Sequence, residues 1–119
     1  MDFLQDSIKP IYIQIAEWLE DEILKENIAE EEQVPSKNQL AYIYKINPAT
    51  ANKGINILVD ENILYKKRGI GMFVATGAKE MILKKRKEAF CKEFIDKLLY
   101  EADKLEISKS EIIEILKNR

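Results

Sequence analysis

Hydrophobic side chains recur at helical spacing between Pro10 and about Asn27, and proline suits the first turn of a helix. The apolar positions form one stripe, made of Ile11, Ile15, Trp18 or Leu19, and Ile23. The acidic positions form the opposite stripe, made of Glu17, Glu20, Asp21 and Glu22. The pattern predicts an amphipathic helix whose acidic face would repel a polyanion and should point away from one.

Two shorter helices follow, and each has its own start signal. Ser36 can accept a backbone N–H while Gln39, three residues on, reaches back in a capping box. Asn47 is a favoured N-cap, and Pro48 suits the first helical position. The first of these helices has an apolar stripe of only Leu40, Ala41 and Tyr44, so it needs support from the long helix before it.

The helix that begins at Pro48 has two different faces. One face predicts core positions at Ala51, Ile55, Leu58 and Asn62. The other carries small, amide and cationic side chains at Ala49, Asn52, Lys53 and Asn56, flanked by Thr50. Such a row suits the DNA major groove, because small residues allow close approach, amides can bond base edges and a lysine can reach guanine or phosphate. On an isolated helix the same row is more often a solvated face.

A short hairpin follows the helices. Two strands are predicted, over Ile63-Leu64-Tyr65 and Met72-Phe73-Val74, and Val34 is a candidate for a brief third strand. Gly69 and Gly71 supply the backbone angles of the turn between the strands. The cations of this turn are Lys66, Lys67 and Arg68. An isolated basic hairpin is more often a solvated turn, but beside a helix-turn-helix it suits phosphate or minor-groove contact. The sequence thus predicts a winged helix-turn-helix.

These residues resemble the GntR family of bacterial transcription regulators, and within it the short YtrA-type subfamily. The resemblance covers about residues 8 to 75 and rests on four motifs in order: Pro10-Ile11-Tyr12 with Gln14-Ile15, Pro35-Ser36 with Leu40-Ala41, Asn47-Pro48-Ala49-Thr50 with Lys53, and Arg68-Gly69-Ile70-Gly71 with Phe73-Val74. It implies a repressor that binds DNA, with a short helical tail that forms a dimer.

The chain departs from that family's pattern in three places. Asn38 stands where an arginine is usual, so one charged DNA contact that the resemblance implies is missing. Glu30, Glu31 and Glu32 replace the usual glycine-containing turn before Pro35. Ile57 and Val59 add apolar surface to the helix that begins at Pro48, which is the recognition helix of the predicted helix-turn-helix.

The predicted DNA contacts come from the starts of both short helices, the recognition helix and the wing. They are Ser36, Lys37, Asn38, Asn47, Ala49, Thr50, Asn52, Lys53, Lys67, Arg68, Gly69 and Gly71. The net charge of −2 argues weakly against binding to nucleic acid, but the charges are distributed unevenly along the chain. Residues 1–32 carry 2 basic and 10 acidic groups, residues 33–87 carry 11 and 3, and residues 88–119 carry 6 and 8. The cations therefore lie on the predicted DNA-reading unit, and local potential is what binds phosphate.

The chain beyond Val74 predicts a helical tail. A small-residue hinge, Ala75-Thr76-Gly77-Ala78, precedes a helix from about Lys79 to Asp103, and Ser108-Lys109-Ser110-Glu111 reads as a capping box that opens a last helix. Apolar surface left over on this two-helix hairpin predicts a dimer interface at Phe90, Phe94, Leu98, Ile112 and Leu116. The alternative is that the hairpin folds back on its own winged domain.

The overall prediction is a mainly α fold with a small β wing, in which a winged helix-turn-helix (residues 1–77) precedes a C-terminal two-helix hairpin (residues 78–119). Residues 1–7 show no periodicity and are expected to be a loose arm. The single cysteine, Cys91, is expected to pack rather than to serve redox chemistry. No long apolar run and no signal segment stand in the sequence, which places the protein in the cytoplasm.

The expected function is that of a sequence-specific regulator that binds double-stranded DNA as a homodimer on an inverted-repeat site. The alternative is a winged-helix protein-interaction module without DNA binding, which Asn38 and the acidic first segment would suit. An enzyme is not expected, because the chain has no His and no nucleophile beside a base, and no cofactor or metal is implied. A tail of about 40 residues is too short for a separate ligand-binding domain. A small-molecule effector would therefore have to sit at the dimer seam or between the hairpin and the winged domain.

Overall fold

The computed structural model describes Phe3 and residues 8–119, so the predicted loose arm over residues 1–7 lies outside the described residues except for Phe3. The helices and strands are α1 (Ile11–Leu24), α2 (Lys37–Tyr44), α3 (Pro48–Asp60), β1 (Leu64–Lys67), β2 (Gly71–Val74), α4 (Ala78–Phe90), a π-helical turn (Cys91–Ile95), α5 (Asp96–Lys104) and α6 (Lys109–Lys117). The chain divides within α4 into two compact units, Met1–Leu83 and Lys84–Arg119. We call them the winged unit and the tail.

The start signals of the two short helices are confirmed. Ser36 Oγ accepts a hydrogen bond from Gln39 N at 3.1 Å, and Ser36 N donates to Gln39 Oε1 at 2.8 Å, which completes the capping box of α2. Asn47 Oδ1 accepts from Ala49 N at 2.8 Å at the start of α3. Between them Lys45 has φ 54°, in the left-handed region, and ends α2. The tight turn of the helix-turn-helix therefore lies between two helices that both have side-chain caps.

The core of the winged unit lies where α1 packs on α3. Ile15, Leu19 and Leu58 are fully buried there, and Leu19 rather than Trp18 is the innermost side chain of its turn. Gly54 makes the close approach possible, because a Cβ atom there would lie only 2.7 Å from the Tyr12 carbonyl oxygen.

The prediction of Asn62 as a core position of α3 is wrong. The helix ends at Asp60, and Asn62 lies beyond it in a turn with φ 63°. The Asn62 side chain is therefore exposed and does not extend the buried face of α3. Ile57 and Val59 are partly buried against the core, so their apolar surface is largely accounted for by packing.

The wing is an antiparallel pair of strands in which Leu64 lies opposite Val74 and Tyr65 lies opposite Phe73. The predicted third segment is present beside β2. Its bridge is formed by Gln33 with Phe73, and Val34 N donates to Met72 O at 2.9 Å. The wing is thus held at its base by the residues that lead into α2.

The beginning of α4 belongs to the winged unit. Ala78 and Ile82 are fully buried in its core, which is why the chain divides at Leu83 and not before the helix at residue 77. Apolar side chains at helical spacing predicted this helix, but they did not show that its first turns complete the core of the preceding unit.

The tail contains the π-helical turn, α5 and α6. Ser108 Oγ accepts from Glu111 N at 3.2 Å, which confirms the second capping box. The prediction of one regular helix to Asp103 missed the π-helical turn, for which no proline or glycine gives a signal. Cys91, at the start of this turn, is exposed, so the prediction that it packs is wrong within the single chain. No helix of the described part of the chain has the length and hydropathy of a membrane span.

Candidate nucleic-acid interface

The outward face of α3 carries the predicted row of small, amide and cationic side chains. Ala49, Lys53 and Asn56 are exposed, whereas Thr50 and Asn52 are half-buried. Lys53 Nζ lies 4.0 Å from the centre of the Tyr12 ring on α1. This cation–π contact holds the lysine beside the N-terminal part of α1, still on the solvent side of the helix pair.

A groove brings this row together with the wing and the start of α2. It has a volume of about 230 Å³. Its lining includes Gln33, Val34, Ser36, Lys37, Asn52, Ile55, Lys66, Ile70, Gly71 and Met72. Four of the predicted site residues, from three separate segments, therefore border one concave surface, and Lys66 adds a cation on its wing side.

The start of α2 contributes Ser36, Lys37 and Asn38, all exposed. The Ser36 hydroxyl is engaged in the capping box, as the Asn47 side-chain oxygen is engaged in the cap of α3. At the position where the resemblance implies an arginine, Asn38 offers an uncharged amide, and Lys37 supplies the positive charge of this turn.

Arg68 and Gly69 lie exposed at the tip of the wing, where Gly69 has φ 78°. Gly71 has a different role, because a Cβ atom there would collide with Gln33 Nε2. That amide donates to Ile70 O at 3.0 Å and ties the wing to the segment before α2. Gln33 was missed from the sequence, since its partner stands 37 residues away and no periodic pattern marks it.

The two strand lysines lie on opposite faces of the wing. Lys66 lines the groove with its ladder partner Met72. Lys67 lies on the other face, where its Nζ is 4.1 Å from the centre of the Phe73 ring. Alternation along a strand produces this separation.

The glutamates before Pro35 form hydrogen bonds to the base of the wing and to the entry of α4. Glu31 accepts from the Tyr65 hydroxyl and, at 2.7 Å, from Thr76 Oγ1. Glu30 Oε1 accepts from Gly77 N at 3.0 Å. Hydrogen bonding by Tyr65 and Thr76 lowers the pKa of Glu31, and the bond to Glu31 raises the pKa of Tyr65. Sequence reasoning noted these residues only as a departure, because their partners stand 34 and 45 residues away.

The predicted dimerisation residues form an apolar surface on the tail. Phe90 and Phe94 are each 54% exposed, with ring centres 5.3 Å apart, and Leu98 and Leu116 are also exposed. Ile112 is half-buried and lines a mainly apolar groove of about 200 Å³. The groove lies between α5 and α6, lined by Leu98, Glu101, Ala102, Leu105, Ile107, Ile112, Ile115 and Leu116.

The architecture of α1 to β2, with its capped helix pair and paired strands, defines a winged helix-turn-helix protein. Residues 11–74 match the family model described as bacterial regulatory proteins, gntR family. The chain therefore belongs to the GntR family, and within it to the YtrA-type regulators.

Several relatives support this assignment. The HTH-type transcriptional repressor YtrA of Bacillus subtilis is 31% identical over 96 residues, which cover 81% of this chain and 73% of YtrA. A crystal structure of a GntR-family transcriptional regulator from Bacteroides thetaiotaomicron is 37% identical, with a TM-score of 0.79 over 92% of this chain and 95% of that one. The AraR DBD in complex with the operator ORX1 is 28% identical, with a TM-score of 0.58 over 63% of this chain and 95% of that one.

The relatives named above are regulators of transcription. Residues 8–119 and Phe3 include no group of three or more His, Cys, Asp or Glu side chains that could hold a metal ion. The carboxylates that are held in place, such as Glu30 and Glu31, have structural hydrogen-bond partners.

Proposed function

We propose that this protein is a repressor that binds double-stranded DNA sequence-specifically, as a homodimer on an inverted-repeat operator. The observation that carries the proposal is the groove in which the α3 row, the start of α2 and the wing meet. The relation to the AraR DBD, whose structure holds an operator, supports DNA as the occupant of this side.

The geometry divides the proposed contacts into two kinds, those that read the base sequence (reading) and those that hold the phosphate backbone (holding). Asn52 and Lys53 lie on the outward face of α3, where an amide and an ammonium can reach base edges in the major groove. Lys66, Lys67 and Arg68 lie on the wing, where cations would neutralise phosphates. The first group should set the sequence preference, and the second should set the overall affinity and its dependence on salt.

Charge placement supports the same orientation. The acidic side chains of α1 and the cations Lys37, Lys53, Lys66, Lys67 and Arg68 belong to different segments of the winged unit, whereas the cations of residues 84–87 belong to the tail. Electrostatic attraction would draw the cationic segment toward a phosphate backbone even though the net charge of the chain is −2.

The homodimer is supported by the apolar surface of the tail. Phe90, Phe94 and Leu98 expose large side chains that a single chain leaves uncovered. Two copies that meet through the same surface are related by a two-fold axis, and a two-fold protein matches an inverted repeat. The role as a repressor is supported by the name of the relative YtrA.

Selection of bound sequences from a random double-stranded DNA pool tests the proposal directly. We expect an enriched motif with two-fold symmetry, and an affinity, measured by fluorescence anisotropy, that falls steeply as salt rises. Failure to retain any member of the pool at low salt would contradict DNA binding and favour the protein-interaction module. An enriched motif without internal symmetry would contradict the two-fold dimer alone.

A further inference from the structure

One face of the wing carries a connected set of contacts that ends at a cation. The Tyr65 hydroxyl donates to Glu31, and the Tyr65 ring stacks on Phe73 with 6.1 Å between ring centres and 30° between ring planes. Lys67 Nζ lies 4.1 Å from the centre of the Phe73 ring. Tyr65 and Phe73 are opposite each other in the ladder, and Lys67 is two residues beyond Tyr65, so all three share a face.

The carboxylate at the other end of this set is itself held in place. Glu31 accepts a second hydrogen bond from Thr76 Oγ1 at 2.7 Å, and its backbone N donates to Val74 O at 2.7 Å. Its backbone has φ 68°, in the left-handed region that favours glycine. The chain thus carries a glutamate where the backbone would suit glycine, and the glutamate side chain makes two bonds that a glycine could not make.

We propose that Glu31 is a positioning residue for DNA binding, which acts through Tyr65 and Phe73 to hold the Lys67 ammonium where it contacts a phosphate. The inference rests on the proposed function, in which Lys67 is a wing contact. It assigns to Glu31 a role that its own charge would oppose, since a carboxylate near the wing repels DNA.

The charge of Glu31 and its positioning role predict opposite changes in DNA affinity when Glu31 is replaced. If Glu31 acted only through its charge, replacing it would strengthen DNA binding. If it positions Lys67, replacing it should weaken binding, and so should any change that breaks the bond to Tyr65 without altering a charge. Tyr65→Phe is that change, because it removes the hydroxyl and keeps both rings and every charge.

Three further variants complete the set. Glu31→Gly tests the carboxylate and leaves the backbone turn relaxed, since glycine adopts the left-handed conformation freely. Lys67→Ala removes the positioned cation. Tyr100→Phe is the matched control, because Tyr100 on α5 also has a lysine over its ring, Lys104 Nζ at 4.4 Å, but lies in the tail.

DNA affinity is measured on the full chain by fluorescence anisotropy across a salt series, with the sequence selected by the wild-type protein. Losing one phosphate contact makes the slope of log affinity against log salt shallower by about 0.9, which is about fivefold in affinity near 0.15 M salt. We expect losses of this size for Tyr65→Phe and Lys67→Ala, and a smaller loss for Glu31→Gly because its lost charge also removes a repulsion. These losses should be the same for all DNA sequences, and Tyr100→Phe should cause none.

The double variant Tyr65→Phe/Lys67→Ala decides whether the bond between Tyr65 and Glu31 acts through Lys67. In the Lys67→Ala background we expect Tyr65→Phe to cause no further loss, because the cation that it would misplace is already absent. Wild-type affinity and slope in Tyr65→Phe, or an equal further loss in the Lys67→Ala background, would overturn the inference and leave the proposed function standing.

A second measurement needs no DNA. The free protein is acylated with a lysine-specific reagent, and the rate at each lysine is read by peptide mass spectrometry. We expect Lys67 to react faster in Tyr65→Phe and in Glu31→Gly than in the wild type, and Lys66, on the opposite face of the wing, to react at an unchanged rate. If Lys67 reacts faster but the wild type binds no DNA, the positioning is real and the proposed function fails. An unchanged Lys67 rate would overturn the inference whatever the DNA result.

Discussion

The winged unit and the tail use their apolar side chains in opposite ways. In the winged unit, large side chains such as Ile15, Leu19 and Leu58 form a buried core, while Ile8, Tyr42, Ile43, Ile70 and Leu83 are exposed, and the groove on the predicted contact side is lined by lysines and amides together with apolar residues. In residues 84–119, all of which the structure describes, Ala102 is the one buried apolar side chain. The large apolar side chains that the tail exposes are Phe90, Phe94, Ile95, Leu98, Tyr100, Leu105, Ile113, Ile115 and Leu116.

This difference indicates two kinds of missing partner. A surface of lysines, amides and small residues suits a charged and hydrated partner such as DNA, whereas a surface of phenylalanine and leucine is favourable only against another apolar surface. A second copy of the tail supplies such a surface under the proposed function.

Core truncation should have the largest effect. Leu58→Ala should lower the free energy of unfolding of the winged unit by about 2–5 kcal/mol, because it leaves a cavity where α3 meets the core. Leu116→Ala in the exposed tail should leave unfolding of the winged unit unchanged within about 0.5 kcal/mol. Urea unfolding followed by the fluorescence of Trp18, the single tryptophan and a residue of the winged unit, measures both. Equal losses would mean that the tail supports the core.

Introducing a charge on the tail should break the dimer and spare the fold. Phe94→Asp places a carboxylate in the proposed seam, where burying it without a partner is strongly unfavourable. Sedimentation at micromolar concentration should then give a monomer with an unchanged circular dichroism spectrum. Tyr42→Asp is the control, because Tyr42 is 87% exposed on α2 and its replacement should not change sedimentation. A folded Phe94→Asp protein that still sediments as a dimer would place the contact elsewhere.

Substitutions on the contact side of the winged unit should separate reading from holding. Asn52→Ala should relax the preference at particular base pairs by about 1–3 kcal/mol, because a bidentate amide contact is lost. Arg68→Ala should weaken all sequences alike, since a phosphate contact carries no base information. Repeating the random-pool selection with each variant checks this. An unchanged motif for Asn52→Ala would show that another face of α3 reads the DNA.

Local signals in the sequence predicted most of the winged unit, and the misses share a physical cause. The caps at Ser36, Asn47 and Ser108 depend on residues two or three positions away, so the sequence shows both partners together. The bonds of Glu31 and Gln33 join residues that are adjacent only after folding. No local rule marked the early end of α3 before Asn62. No local rule marked Ile82 as a core residue of the winged unit either. Its burial depends on where α4 begins, and the helical spacing of apolar residues within α4 does not show this.

Local patterns also predicted which side chains of the candidate site are exposed together. Helical spacing alone placed Ala49, Lys53 and Asn56 on one exposed face of α3. Strand alternation separates Lys66 from Lys67, but which face borders the groove depends on how the wing packs beside α3. Local spacing could therefore predict which side chains share an exposed face, whereas the shape of the groove required the fold.

The smallest expected effect concerns pH and again distinguishes the two units. The bonds from Tyr65 and Thr76 lower the pKa of Glu31 in the folded protein, so the stability they give is fully present above the ordinary glutamate pKa of 4.5 and is lost as pH falls through the lower folded value. The bond to Glu31 raises the pKa of Tyr65, so its contribution is present below the ordinary tyrosine pKa of 10.0 and is lost as pH rises through the higher folded value.

The difference in unfolding free energy between the wild type and Tyr65→Phe should therefore be constant near neutral pH and shrink in acid and in strong base. Urea unfolding followed by Trp18 fluorescence across pH measures it. Tyr100→Phe in the tail should show no such profile, and a Tyr65→Phe difference that persists unchanged in acid would mean that the bond to Glu31 does not contribute to stability.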